Sequence, residues 1–498
     1  MQIDRPRVSW IGLWLGPVLA LVAFLLLPVM AADAGPAAVG LTVAGRATAA
    51  IALWMAVWWL TEAVPLAATA LLPVVLFPLA GVADIGRATA PYANPLIFLF
   101  LGGFLLGLAV QRFGLHRRIA LTILLRVGTS PRTLIGGFML ASALLSMWIS
   151  NTATAIMMLP IGISVLRLLR EQKADVDDAS MRAFGTALVL GIAYACSIGG
   201  TGTLVGTPPN LVLAAFVREH YGIDIGMASW LAIGLPLVAV MLPLTWWYLT
   251  RIAFRVPAKP FPGGRAALSA ELAKLGTMDS GERVTLTVFA LTALGWLLRP
   301  QLVDWTGLGQ LTDAGIAMLG ALSLFAIPVS SRDAVAVGQR QRALDWETAR
   351  KVPWEILILF GGGLSLASAV AANGVDSFIA DSLSGLAGWP PWMLALAVAA
   401  VVVLLTEITS NTAVTTTLMP VLAATAVATG APPGLLLTVA ALAASCAFML
   451  PVATPPNAIV FASGQVSIAQ MARAGLGLNL MAVVVVTVVA SLGSYIAL

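Results

Sequence analysis

Charge is scarce in this chain. Only 10% of its 498 residues are Asp, Glu, Lys or Arg, against 60% hydrophobic. Soluble domains carry about 25% charge, so a water-soluble enzyme of this length is excluded. Disorder needs low hydrophobicity and is excluded as well. Histidine and cysteine are nearly missing, with two of each, and there are four lysines. Cys196 and Cys446 stand in no CxxC or zinc spacing and read as small apolar helix residues. His116 and His220 fall between apolar runs and read as solvated loop residues. HExxH, GxSxG and GxxxxGK[ST] patterns do not occur. An integral-membrane enzyme would lack its nucleophile or metal set, and an ATP-driven pump its phosphate loop. Nucleic-acid-binding signatures are missing too, so no nucleic-acid partner is expected.

What the chain has in abundance is continuous apolar runs of about 20 residues, not the ten-residue alternation of an outer-membrane barrel. Spans are predicted near 10–32, 47–62, 63–82, 95–113, 183–217, 229–250, 284–299, 313–330, 353–372, 434–463 and 472–496. The 10–32 run is too long for a signal peptide and reads as a retained helix. Two further regions, 133–166 and 391–429, read as helical hairpins. The 133–149 arm is about 25 Å of helix, short of a hydrocarbon core about 30 Å thick. No charge lies between Arg132 and Arg167, so the turn between the arms does not look like an aqueous loop. The expected fold is an all-α polytopic membrane protein, with eleven transmembrane helices plus two re-entrant hairpins. Of 27 Lys and Arg residues, 23 fall on the side that receives Arg5 and Arg7. The positive-inside rule makes that side cytoplasmic. The N-terminus is then inside and the C-terminus outside, and the net charge of +5 reflects topology. No transit-like leader precedes the first span, which points to a bacterial inner membrane.

Landmarks recur along the chain. Leu99–Gly103 answers to Ile358–Gly362 at an offset of 259, and Ser150-Asn151-Thr152 to Ser410-Asn411-Thr412 at 260. Thr207-Pro208-Pro209-Asn210 answers to Thr454-Pro455-Pro456-Asn457 at 247. Taken singly, an SNT is a helix cap and a PPN a kink. Together they mark two repeats. The first covers 47–250, with a hairpin at about 133–170 and a broken helix at about 183–217. The second covers 284–498, with a hairpin at about 391–429 and a broken helix at about 434–463. Helix 1 occupies 1–46, and 251–283 is a cytoplasmic loop. Five spans per repeat invert the second copy, a signature of secondary transporters with a midplane site at the repeat interface.

Backbone that leaves the helix inside a membrane must be satisfied by protein, ions or water. Four interrupted helix ends converging would offer N–H donors for an anion and carbonyl and hydroxyl oxygens for a hard cation. No Lys or Arg lies in the SNT or TPPN segments. Co-bound cations would supply the missing positive charge, which makes anion and cation binding interdependent. Glu407, an acid within an apolar run, is a functional-site candidate, but its position on the helix points it away from Thr406 and Thr409.

The stretches 146–154, 204–210, 406–412 and 446–460, with 60–63 and 357–364, resemble the divalent-anion:sodium symporter (DASS) family of sodium-dependent dicarboxylate transporters. The likeness runs from about residue 45 to the C-terminus. It implies a scaffold domain and a mobile transport domain in a homodimer, moving as an elevator. It also implies one sodium site at Ser146, Ser150, Asn151 and the Gly206 carbonyl, and a second at Thr406, Thr409, Asn411 and the Ala453 carbonyl. Substrate carboxylates would meet Ser150, Asn151, Thr152, Ser410, Asn411 and Thr412, with Thr207, Thr454 and Pro455 nearby. The function implied is sodium-coupled import of C4-dicarboxylates such as succinate, malate or fumarate, with sodium as co-transported ion and no prosthetic group. The alternatives are a sodium-independent dicarboxylate exchanger of the same family and a passive channel.

Overall fold

The computed structural model describes residues 6–29, 40–128, 130–171, 177–258, 264–330, 341–383, 385 and 388–497. The protein is mostly helical. Among the described residues, eight helices are long and apolar enough to cross a membrane: Ser9–Leu26, Val43–Thr61, Ile85–Arg112, Asp178–Gly200, Met227–Ala253, Trp354–Ala372, Asn411–Thr429 and Ile468–Gly493. Ser280–Leu297 with Arg299–Thr306 makes a ninth if that pair, bent by 77°, is one span. Large apolar side chains remain exposed along these helices, as at Trp14, Leu25, Leu480 and Leu492. A lipid environment removes the penalty water would impose on them.

Several runs differ from the sequence expectation. The 63–82 run is two short helices, Leu66–Thr69 and Leu72–Leu79. The 313–330 run is helical only over Asp313–Ala326, and Pro328–Val329 then pairs antiparallel with Gln341–Arg342. The 112–132 segment contains a helix, Leu115–Val127, whose Leu115, Ala120, Leu121 and Leu124 are buried. His116 therefore lies on a helix with Nδ1 3.2 Å from the Val110 carbonyl, and burial pushes its pKa down. His220 stacks on Phe216 at the end of the Pro208–Tyr221 helix. Neither histidine is a freely solvated loop residue. The 251–283 segment holds the helix Gly264–Lys274.

The two halves present the same elements in the same order. A glycine-bearing helix (Pro95–Arg112; Trp354–Ala372) ends at a left-handed glycine, Gly114 or Gly374, each with φ +68°. An L-residue with a Cβ adopts that conformation at a cost, so glycine sets the elbow. A short helix follows (Leu115–Val127; Val375–Ser382), then a hairpin (Pro131–Ser146 and Asn151–Glu171; Pro391–Thr406 and Asn411–Thr429). Each first arm is 16 residues, about 24 Å long. A broken helix completes each half (Asp178–Gly200 and Pro208–Tyr221; Pro433–Ala444 and Pro455–Ala462). The first hairpin lies hard against the first broken helix, where a Cβ on Gly199 would sit 2.3 Å from the Ala143 carbonyl oxygen. The halves interlock where the Tyr194 hydroxyl donates to the Phe448 carbonyl at 2.8 Å.

Ion pairs form two groups. Arg112–Asp345, Arg117–Glu271 and Arg118–Glu282 join residues assigned to the cytoplasmic side by the charge count. Arg299 pairs with Asp313 and Asp224, and Arg218 with Asp224, on the other side. Arg118 grips buried Glu282 through two bonds, 2.7 and 2.9 Å, while Glu282 completes a capping box with Asp279. Glu282→Ala leaves the guanidinium without its partner and breaks the capping box, and is expected to cost about 3–5 kcal/mol. Thermal unfolding of purified protein checks this, with Glu282→Gln falling between wild type and Ala.

Candidate functional site

Two loops open the hairpins. In the first, Ser150 sits at the start of the Asn151–Glu171 helix and its hydroxyl accepts from Ala153 N at 3.3 Å. In the second, Ser410 caps Asn411–Thr429 by accepting from Ala413 N at 3.5 Å. The N–H groups of Asn151 and Thr152, and of Asn411 and Thr412, occupy first-turn positions that have no helical acceptor. They stay available, at the positive end of a helix dipole.

Each asparagine is held the same way. Ser146 Oγ donates to Asn151 Oδ1 at 2.6 Å, and Thr406 Oγ1 bonds Asn411 Oδ1. Thr406 Oγ1 also lies 2.9 Å from the Ala444 carbonyl. Ser146 and Thr406 are fully buried. The Asn151 amide rests on Gly200, where a Cβ would come within 2.5 Å of Oδ1, and Gly200 in turn supports Gly206. The expected partners Ser146, Asn151 and Gly206 are thus brought together. Thr409 is turned differently, since its hydroxyl donates back to the Leu405 carbonyl at 2.7 Å.

The broken helices are closed by their own asparagines. Asn210 Nδ2 donates to the carbonyls of Gly200 at 3.1 Å and Thr203 at 2.7 Å. Asn457 Nδ2 donates to those of Ala447 at 3.2 Å and Leu450 at 3.1 Å. Both pairs of acceptors are related by the 247-residue offset that relates the motifs themselves. The side chain at each helix start thereby satisfies carbonyls left open where the previous half ended. Prolines occupy the first two positions of both helices and donate no N–H. The expectation that all four ends present N–H groups is corrected here: the SNT turns carry the donors. Thr454 Oγ1 caps its helix by accepting from Asn457 N at 3.3 Å, whereas Thr207 makes no side-chain cap bond.

All four ends line one cavity of about 1150 Å³. Every residue expected at the substrate contributes to it: Ser150, Asn151, Thr152, Thr207, Ser410, Asn411, Thr412, Thr454 and Pro455. Gly206, Thr409 and Ala453 line it as well, while Ser146 and Thr406 stand behind the asparagines. Trp148, also in the wall, stacks on Trp296 at 6.0 Å and meets Phe289 edge-on. Sequence reasoning missed Glu62, Gln111, Lys351 and Glu355 in this wall. Lys351 is the last charged residue before the 353–372 span, but nothing in sequence places it beside the distant SNT turns.

Glu407 does not face the cavity. Its carboxylate accepts from the N–H groups of Phe448 (2.7 Å), Met449 (2.9 Å) and Leu450 (2.9 Å) and from Asn479 Nδ2 (2.7 Å). The acid holds the unwound turn of the second broken helix. Glu407→Ala strands the N–H groups of Met449 and Leu450, leaves Phe448 N its 3.2 Å bond to Asn479 Oδ1, and is expected to cost about 3–5 kcal/mol. Asn479→Ala should cost less, and thermal unfolding of the two variants reads the order.

The sequence profile described as the sodium:sulfate symporter transmembrane region matches residues 13–497. The chain is 42% identical to the sodium-dependent dicarboxylate transporter SdcS of Staphylococcus saprophyticus over 482 residues, 96% of this chain and 90% of that protein. It is also 42% identical to SdcS of Staphylococcus aureus over 481 residues, with the same coverage. The fold resembles the crystal structure of the Alcanivorax borkumensis YdaH transporter, with a TM-score of 0.55, 14% identity and 98% of both chains covered. A multi-pass helical membrane protein matched over nearly its whole length by this profile and these relatives, the chain belongs to the divalent-anion:sodium symporter family.

Proposed function

We propose that the protein imports C4-dicarboxylates such as succinate, malate or fumarate, driven by a sodium gradient. The observation that carries this reading is the meeting of both Ser-Asn-Thr turns and both Thr-Pro-Pro-Asn starts, about 250 residues apart in sequence, around one cavity. The first-turn N–H groups and the Asn and Thr side chains suit carboxylate oxygens. Sodium, as a transported ion, takes the oxygen-rich pockets behind them. One uses Ser146, Ser150, Asn151 and the Gly206 carbonyl; the other uses Thr406, Thr409, Asn411 and the Ala453 carbonyl. The Ser146–Asn151 and Thr406–Asn411 bonds hold the hydroxyl and amide oxygens close together. Turning each hydroxyl proton outward lets both oxygens face a cation.

Two sodium ions with tenfold inward gradients supply about 2.8 kcal/mol, roughly 100-fold accumulation of a dianion. The matching element order of the halves supports two repeats, which five spans each would invert; an elevator-type transport domain built on the hairpins and broken helices, in a homodimer, is what the family likeness implies. The excess of Lys and Arg on the side that receives Arg5 and Arg7 supports an N-terminus inside and a C-terminus outside.

Labelled succinate uptake into proteoliposomes, with and without an inward sodium gradient, tests the reading. Sodium-stimulated accumulation is expected. Uptake that ignores sodium but requires internal dicarboxylate would replace import by exchange. Asn151→Ala and Asn411→Ala should each reduce sodium-driven uptake to background while the purified proteins stay folded. Gly200→Ala, which forces a methyl into Asn151 Oδ1, should lower uptake at least tenfold without altering the asparagine itself.

A further inference from the structure

The cavity wall contains three ionisable residues: Glu62, Lys351 and Glu355. None belongs to the Ser-Asn-Thr or Thr-Pro-Pro-Asn motifs. Thr207, Thr412 and Thr454 are buried, whereas Lys351 and Glu355 are exposed. The cavity therefore runs from a neutral, donor-rich inner end to a charged outer end. Among the described residues, Lys351 is the single cation in its wall.

An exposed lysine is ordinarily just solvated. Three features set this one apart. Its backbone is pinned: Arg112 and Asp345 pair at 2.6 Å, Asp345 accepts from Thr348 N at 2.8 Å, and Lys351 N donates to the Thr348 carbonyl at 3.1 Å. The backbone that carries the ammonium is thus a fixed segment in the cavity wall, with the four-carbon stem free to move. It makes no ion pair among the described residues, although two carboxylates share its wall. And with it removed, the described residues of the wall would include the exposed carboxylate of Glu355 and no cation, which opposes any dianion that enters.

We infer that Lys351 is a substrate-contacting residue, whose ammonium meets a carboxylate of the dicarboxylate at the exposed end of the cavity. The inference rests on the reading of this site as a dicarboxylate site. The division of labour is physical. The buried turns hold carboxylate oxygens with directional neutral donors. The lysine, a compact charge on a flexible stem, attracts the anion with little geometric demand. Lysine also holds the dianion in a wall whose exposed Glu355 favours cations, so its charge should matter for substrate and not for sodium.

Succinate binding to the purified full-length protein in saturating sodium chloride tests this by isothermal titration, alongside thermal stabilisation by sodium chloride alone. Lys351→Met should weaken succinate about tenfold, Lys351→Arg should stay within about threefold of wild type, and sodium stabilisation should be unchanged in both. Wild-type succinate affinity in Lys351→Met overturns the contact. Equal loss in Lys351→Arg and Lys351→Met overturns a role through charge. A wild-type protein that binds no succinate in sodium overturns the dicarboxylate reading itself, and is told apart from the other outcomes because no variant is needed to see it.

Discussion

A backbone polar group inside a membrane has no water to fall back on, and this constraint organises the molecule. Each broken helix leaves carbonyls open at the end of its first half. Asn210 and Asn457 close them from the start of the second half, with acceptors related by one sequence offset. The motif Thr-Pro-Pro-Asn is therefore a solution to a bonding problem. The prolines start a helix where no N–H acceptor exists, and the asparagine satisfies the break. Once the breaks are stable, the threonines before the prolines are left at the cavity wall.

The same constraint explains how the halves depart from symmetry. In the second half, Glu407 and Asn479 hold the N–H groups of the unwound turn. At the 260-residue offset the first half has Met147, whose carbonyl accepts from Thr203 Oγ1. There, Trp230 Nε1 secures the Thr201 carbonyl at 2.9 Å. Beyond the shared asparagine, the second break is held through its backbone donors and the first through the Thr201 carbonyl and the Thr203 hydroxyl. Thr207, uncapped, and Thr454, used as a cap, then present unequal hydroxyls to the cavity. Two similar scaffolds thus offer a substrate two different ends.

On the proposed reading, the lack of Lys or Arg in the motif segments is the source of coupling. Neutral dipoles alone hold a dianion poorly in a cavity whose wall also carries Glu62 and Glu355. Sodium ions beside Asn151 and Asn411 change that balance, and linkage requires the anion to strengthen sodium binding by the same factor. A full set of arginines at the tips would bind the anion without needing the ions.

Sequence by itself determined the class of molecule, its apolar helices, the paired motifs and the residues that now share the cavity. These are carried by local composition and by repetition, and Ser150, Asn151, Ser410 and Asn411 could be named from spacing alone. Helix limits at 63–82 and 313–330 were less legible, because hydropathy does not register a break such as Ala70-Leu71 or a strand pairing such as Pro328–Arg342. The bonds of Glu407 and the presence of Lys351 in the wall were decided by tertiary structure only. The acid depends on the distant Phe448–Leu450 turn packing alongside it, the lysine on the chain segments that close one cavity around it and the SNT turns, and no local pattern encodes either.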